Sequence, residues 1–140
     1  LIDKDGHVIH IDFGFIFDIS PGGRFRLERC PFKLSKEMAD LMKAGESNQF
    51  DIFTKLFIQC FYTARAHHDE FEAITRLMTN SHLPCLTKRS VGNLQSRFAL
   101  NIPSNQLPSY LNSLIQNSLE SNYSTSYDAF QKYQNDIYYI

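Results

Sequence analysis

Phe50, Phe53, Leu56, Phe57, Cys60, Phe61 and Ala64 recur at steps of three and four, the clearest periodicity in the chain. That spacing puts all of them on one side of a helix and excludes a strand for this stretch. Ser47 or Asn48 stands where its short side chain can accept from the free N–H groups of the first turn. Four phenylalanines share the face, and each stabilises by about 1.5–3 kcal/mol when fully buried, so the spacing predicts this helix as the centre of a core. Shorter helical registers surround it. Met38, Leu41 and Met42 fit a helix that Gly45 can close, and Phe71, Ile74, Leu77 and Met78 fit another, stopped before Pro84. A short helix runs from a Ser90 cap through Val91 and Leu94 to Phe98. The next carries Leu107, Tyr110, Leu111, Leu114, Ile115 and Leu119, with Pro108 tolerated in its first turn. A last one starts near Ser126 and carries Tyr127, Phe130 and Ile137.

Upstream of Ser35 the pattern changes. Leu1-Ile2 and His7-Val8-Ile9-His10-Ile11 are β-branched runs separated by Asp3-Lys4-Asp5-Gly6, where Asp-Gly supplies the positive φ angles of a tight hairpin turn. From Phe13 to Leu34 no period is sustained, and Ser20-Pro21-Gly22-Gly23 and Pro31 break the run. Compact domains keep loops of about twenty residues mainly for function or leave them disordered. The predicted architecture is mainly α with a short N-terminal β-hairpin, in one unit. An apolar share of 43% over 140 residues supports one packed domain rather than disorder.

Lys and Arg number 14 against 15 Asp and Glu, a net charge of −1, so no overall field draws the chain to nucleic acid or to an anionic bilayer. Any such partner must be met by a local patch, and no nucleic-acid partner is expected. Cys30, Cys60 and Cys85 lie far apart and form no CxxC pair, which argues against a disulfide framework or a zinc ribbon and for a reducing compartment. No apolar run reaches the length of a membrane span. Leu1 is not an initiator methionine and no signal segment follows it, so the start reads as a position within a longer chain.

In a strand, Val8, His10 and Asp12 share one face while Ile9 and Ile11 share the other. The aromatic of Phe13 can anchor the strand end, and Gly14 frees the backbone to turn into the long loop. Asp12 is thereby held at the mouth of a cleft. One carboxylate so placed suits Mg²⁺, which keeps part of its shell for water and phosphate oxygens. Alone, Asp-Phe-Gly is also what a polar strand end followed by a turn looks like. Asp3-Lys4-Asp5-Gly6 lacks the further ligands of a calcium loop and reads as a turn. His67-His68 are adjacent, point different ways and have no partner at metal spacing, so they read as surface histidines.

His7-Val8-Ile9-His10-Ile11-Asp12-Phe13-Gly14-Phe15, followed by Ser20-Pro21-Gly22-Gly23, resembles the phosphatidylinositol 3-/4-kinase family, whose metal-binding segment reads HIDFG where protein kinases have DFG. Leu83-Pro84-Cys85, Tyr127-Asp128 and Tyr133-Gln134-Asn135-Asp136-Ile137 are similar to the type III alpha phosphatidylinositol 4-kinases in particular. The resemblance runs nearly end to end. It implies a protein-kinase-like fold of two lobes, of which residues 1–140 form the distal part of the C-lobe. Residues 1–11 would be the hairpin, 12–35 the metal motif and activation loop, and 36–140 the helical remainder.

The activity implied is transfer of the γ-phosphate of ATP to the 4-hydroxyl of phosphatidylinositol, with Mg²⁺, or Mn²⁺ in its place. Asp12 matches the metal-binding aspartate, Ile11 the residue lining the floor of the adenine pocket, and Phe13 and Gly14 the structural part of the motif. His10 either orients the metal site or the phosphates, or is a hydrogen-bonded histidine beside the cleft. The loop, which reads the lipid headgroup in this family, carries Arg24, Arg26, Arg29, Lys33 and Lys36 against Glu28 alone. Those cations either pair with phosphate oxygens at a membrane or form a solvated face. The loop is more arginine-rich than the alpha enzymes lead one to expect, and Met42-Lys43-Ala44-Gly45 stands where the family often has Met-Gly-Gly. The C-terminal aromatics Phe130, Tyr133, Tyr138 and Tyr139 fit either a core or a membrane interface.

Phosphoryl transfer also needs a phosphate-covering loop, a lysine on the phosphates and a catalytic base. The resemblance places these, the N-lobe and the catalytic loop before Leu1, so the stretch alone is expected to be inactive. The expected setting is the cytoplasmic side of a membrane, held peripherally, with scaffold proteins as targeting partners. Two alternatives stay open: a non-catalytic helical binding module from a truncated or degenerate kinase, and a lipid kinase of different inositol-lipid specificity.

Overall fold

The computed structural model describes residues 3–11, 16, 17, 19, 31–44, 48–120, 129, 132 and 133. Among them are five helices: α1 (Lys36–Lys43), α2 (Gln49–Ala66), α3 (His68–Met78), α4 (Lys88–Arg97) and α5 (Leu107–Leu119). The proposed last helix from Ser126 lies almost wholly outside the described residues, as do Leu1-Ile2 and Gly45.

Short polar side chains start the first two helices. Ser35 Oγ accepts from Met38 N–H at 3.3 Å before α1, and Asn48 Oδ1 accepts from Asp51 N–H at 3.3 Å before α2. A single residue, His67, separates α2 from α3 and serves as C-cap of one and N-cap of the other. The start of α4 corrects the sequence reading. Its cap is Thr87, and Ser90 sits a turn later, where its Oγ accepts from Thr87 N–H at 2.9 Å. Ser90 takes the N3 place of a capping box, where Glu or Gln is usual, so the cap read at Ser90 lies three residues upstream. Pro108 falls in the first turn of α5, where its missing N–H breaks no helical bond.

α1 packs on α2, α2 on α5, and α3 on α4. The interior is centred on α5. Leu107 and Leu111 are fully buried and Ile115 is 1% exposed, and Leu34, Ala39, Leu86, Val91, Phe98 and Ala99 complete the core. This overturns the expectation that α2 is the core helix, because none of its residues is buried. Periodicity establishes that a helix has an apolar face, and what covers that face is a separate matter. On α2, Phe50, Phe53 and Phe57 form a row with ring centroids about 6 Å apart, half-covered. Ile52, Leu56 and Cys60 are exposed. Polar atoms of α2 hold the α4–α5 connection. Tyr62 Oη donates to Ser104 O at 2.9 Å, and Arg65 Nη2 donates to the carbonyls of Leu100 and Ile102 at 3.3 and 2.8 Å.

At the N-terminal end the turn forms, with a difference. Gly6 N–H donates to Asp3 O at 3.1 Å and Asp3 N–H to His7 O at 3.0 Å, while only Gly6, at φ 85°, enters the left-handed region. Asp5 therefore contributes no positive φ. The turn is completed by one glycine after an ordinary bend. Among the described residues only Val8 makes a strand-type bridge, so a full hairpin is not established. Val8, Ile9 and Ile11 are 64%, 47% and 57% exposed; a ribbon with neither face covered gains little from pairing.

Candidate functional site

Asp12, Phe13, Gly14, Arg24, Arg26 and Arg29 lie outside the described residues, and the site is defined by what flanks them. His10 and Ile11 lead into it and are both exposed. Lys33, at the far end, is also exposed and sits between two anchored neighbours. Phe32 stacks on Phe57 of α2 with ring centroids 5.0 Å apart, and Leu34 is buried at 5% exposure. Ser35 then caps α1. The loop thus ends with Phe32 packed on α2, Leu34 buried and Ser35 capping α1.

Its near end is held differently. Ile16 and Phe17 are half-buried and line a cavity of about 240 Å³ with Ser90, Asn93, Leu94 and Arg97 of α4. Arg97 Nη2 donates to Phe17 O at 3.4 Å, and Ile19 N–H turns back to Ile16 O at 3.2 Å. Phe17 has φ 55°, a conformation costly for a residue with a side chain. Sequence reading missed this contact entirely. Arg97 lies 80 positions from Phe17, and a helix-terminal arginine reads as a favourable charge at the C-terminal end of the dipole.

The acidic turn does not become a metal centre by its spacing. Ligand atoms of Asp3, Asp5 and His7 lie within 4.8 Å of one another, yet the Asp3 carboxylate is already engaged. Its Oδ1 accepts from the N–H groups of Asp5 at 2.9 Å and His7 at 2.8 Å, and Oδ2 meets His7 Nδ1 at 2.9 Å. These bonds, the His7 backbone first, hold Asp3 below the usual carboxylate range. They shape the turn that presents residues 8–11.

His67 is exposed, as its sequence context leads one to expect, whereas His68 is not a plain surface histidine. His67 Nδ1 meets Glu70 Oε1 at 3.1 Å. His68 is half-buried, with Nδ1 3.1 Å from Arg65 O and its ring edge-on to Phe98 at 6.2 Å. His68 therefore belongs to the α2–α3 corner. Phe71 joins the same cluster at 5.9 Å from Phe98.

A sequence model of the family described as phosphatidylinositol 3- and 4-kinase matches residues 1–88, which take in the His10–Gly14 motif, the basic loop, α1, α2 and α3. The chain is 38% identical over 143 residues to phosphatidylinositol 4-kinase beta 1 of Arabidopsis thaliana, covering 98% of this chain and 13% of that protein. It is 38% identical over 141 residues to phosphatidylinositol 4-kinase STT4 of Saccharomyces cerevisiae, covering 99% and 7%. It is 36% identical over 139 residues to phosphatidylinositol 4-kinase beta of Xenopus tropicalis, covering 98% and 17%. The chain spans between 7% and 17% of the length of these relatives.

Proposed function

Because the chain belongs to the phosphatidylinositol 3- and 4-kinase family, we propose that it is part of a lipid kinase that transfers the γ-phosphate of ATP to the 4-hydroxyl of phosphatidylinositol. The observation that carries this reading is the match over residues 1–88, with relatives named phosphatidylinositol 4-kinase along nearly the whole chain. In the intact protein Asp12 supplies a carboxylate to Mg²⁺. The donor chemistry fits: one carboxylate suits an ion that keeps positions for phosphate oxygens and water. The residues leading to it, His10 and Ile11, are open to solvent and so accessible to nucleotide. Bound Mg²⁺ offsets charge on the phosphates during transfer.

Ile11 offers an apolar surface to the adenine ring, and His10 orients the phosphates or the carboxylate of Asp12. Phe13 anchors the chain after the metal ligand, and Gly14 frees the backbone to turn into the loop. Arg24, Arg26, Arg29 and Lys33 pair with the anionic headgroup, where each basic residue near a charged surface contributes about 1 kcal/mol. No helix among the described residues is long and apolar enough to cross a membrane, and the working position proposed is peripheral, on the cytoplasmic face with targeting scaffold proteins. Residues 1–140 alone supply no phosphate-covering loop or catalytic base and are expected to show no turnover.

The test is transfer of labelled phosphate from ATP to phosphatidylinositol vesicles by the intact protein, with the product position determined. The 4-phosphate is expected. Asp12→Ala should lower the rate about a thousand-fold, the equivalent of about 4 kcal/mol of transition-state stabilisation. A variant within about ten-fold of the parent would remove Asp12 from the metal site. Replacing Arg24, Arg26 and Arg29 together by Ala should depress lipid turnover more than lipid-free ATP hydrolysis, and equal losses would count against headgroup contact.

A further inference from the structure

We propose that Arg97 is a positioning residue that fixes the start of the lipid-reading loop by holding the carbonyl of Phe17. The proposal rests on the lipid-kinase reading above for its consequence, and on the described contacts for the latch itself. Arg97 is the last residue of α4, and its Nη2 donates to Phe17 O at 3.4 Å. Phe17 is five positions after Asp12 and seven before Arg24.

Three observations converge on this point. The carbonyl that Arg97 holds belongs to the residue that bears a positive φ of 55°. An L-residue with a bulky side chain occupies that region only where its surroundings require it. Ile16 and Phe17 also line the cavity against Asn93, Leu94 and Arg97, so the segment is seated on α4 as well as hydrogen-bonded to it. Finally, the far end of the loop is secured independently by Phe32 on Phe57 and by buried Leu34. Release of Arg97 would therefore leave the described far end of the loop in place while its start at Phe17 lost this hydrogen bond.

The loss should fall on the lipid side of the reaction. Gly14 lies between Asp12 and Phe17, and a residue without a side chain lets the backbone pivot there. A displacement at Phe17 is therefore expected to cost lipid binding more than metal binding at Asp12. Arg97 acts through the backbone of Phe17 and need not touch the headgroup.

The experiment compares the intact parent protein with Arg97→Met, which keeps the apolar stem against the cavity and removes the donor, and with Arg97→Lys, which keeps a charged donor. Two readouts are taken: steady-state kinetics with phosphatidylinositol vesicles and without lipid, and the rate of tryptic cleavage after Arg24, Arg26 and Arg29. For Arg97→Met the expected result is a KM for lipid raised about ten-fold, with lipid-free ATP hydrolysis within about two-fold and loop cleavage several-fold faster. Arg97→Lys should recover most of both effects. Unchanged cleavage and KM in Arg97→Met would overturn the proposal, as would a parallel fall in lipid-free hydrolysis, or a lysine variant no better than methionine. Should the parent transfer no phosphate to phosphatidylinositol, the lipid-kinase reading fails, and the cleavage rates alone decide whether the latch exists.

Discussion

Phe17, His82 and Ala99 are the described residues other than glycine with φ between 50° and 59°. They mark three chain reversals: the loop start, the α3–α4 turn and the end of α4. His82 is exposed, so its conformation is separable from packing. His82→Gly should stabilise the protein by about 0.5 kcal/mol, the left-handed cost of an L-residue less the entropy of a glycine. A small rise in the denaturant midpoint of the C-terminal helices would confirm it, and a fall would show that the histidine side chain contributes contacts of its own. At this scale the sequence is legible where a side chain acts on its own neighbours. Ser35 and Asn48 cap the helices they precede, whereas Ser90 is a capping residue placed one turn inside the helix. Arg65 and Arg97 escape sequence reading because their acceptors are backbone carbonyls far along the chain.

The five described helices cover the stretches their apolar registers mark, α4 beginning three residues early, because a 3.6-residue period is a local property. Which helix occupies the core is not local. α2 carries the row of phenylalanines that reads as a core face, yet none of its residues is fully buried, while α5 puts Leu107, Leu111 and Ile115 at the centre. Leu111→Ala should therefore cost about 2–5 kcal/mol and Leu56→Ala, at an exposed position, less than about 1 kcal/mol, read from amide exchange in each helix of the intact protein. Similar losses at both would mean that α2 is covered in the intact protein. α3 and α4 are tied by half-buried Glu72, whose carboxylate accepts from Arg76 Nε at 2.6 Å and from Gln95 Nε2. The Arg76 bond first, then that of Gln95, lowers the Glu72 pKa. A depressed folded-state pKa means that the tie is complete above the ordinary glutamate range and is lost as pH falls through the folded-state value. Protection of α3 and α4 amides, relative to their intrinsic exchange rates, should fall selectively as pH drops below the ordinary glutamate range, and Glu72→Gln should abolish that selectivity.

For the whole molecule, the two anchors of the loop belong to different helices. Its far end is secured by Phe32 on α2 and by buried Leu34, and its near end is seated on α4 at Phe17. A segment held at both ends can present several cations together, an arrangement a net charge of −1 does not reveal. The site's family is legible in the motif from His7 to Phe15, and the match over residues 1–88 shows that family. The support for the loop is not legible, since it depends on a helix that begins more than seventy residues after Phe17. Metal binding at Asp12 joins the motif to the proposed chemistry. Calorimetric titration of the intact protein with ATP, with and without Mg²⁺, tests it most directly. The account predicts that Mg²⁺ tightens binding in the parent and that Asp12→Ala loses at least about ten-fold of that gain, with metal-free nucleotide affinity unchanged. An Asp12→Ala protein that binds magnesium nucleotide as tightly as the parent would contradict it.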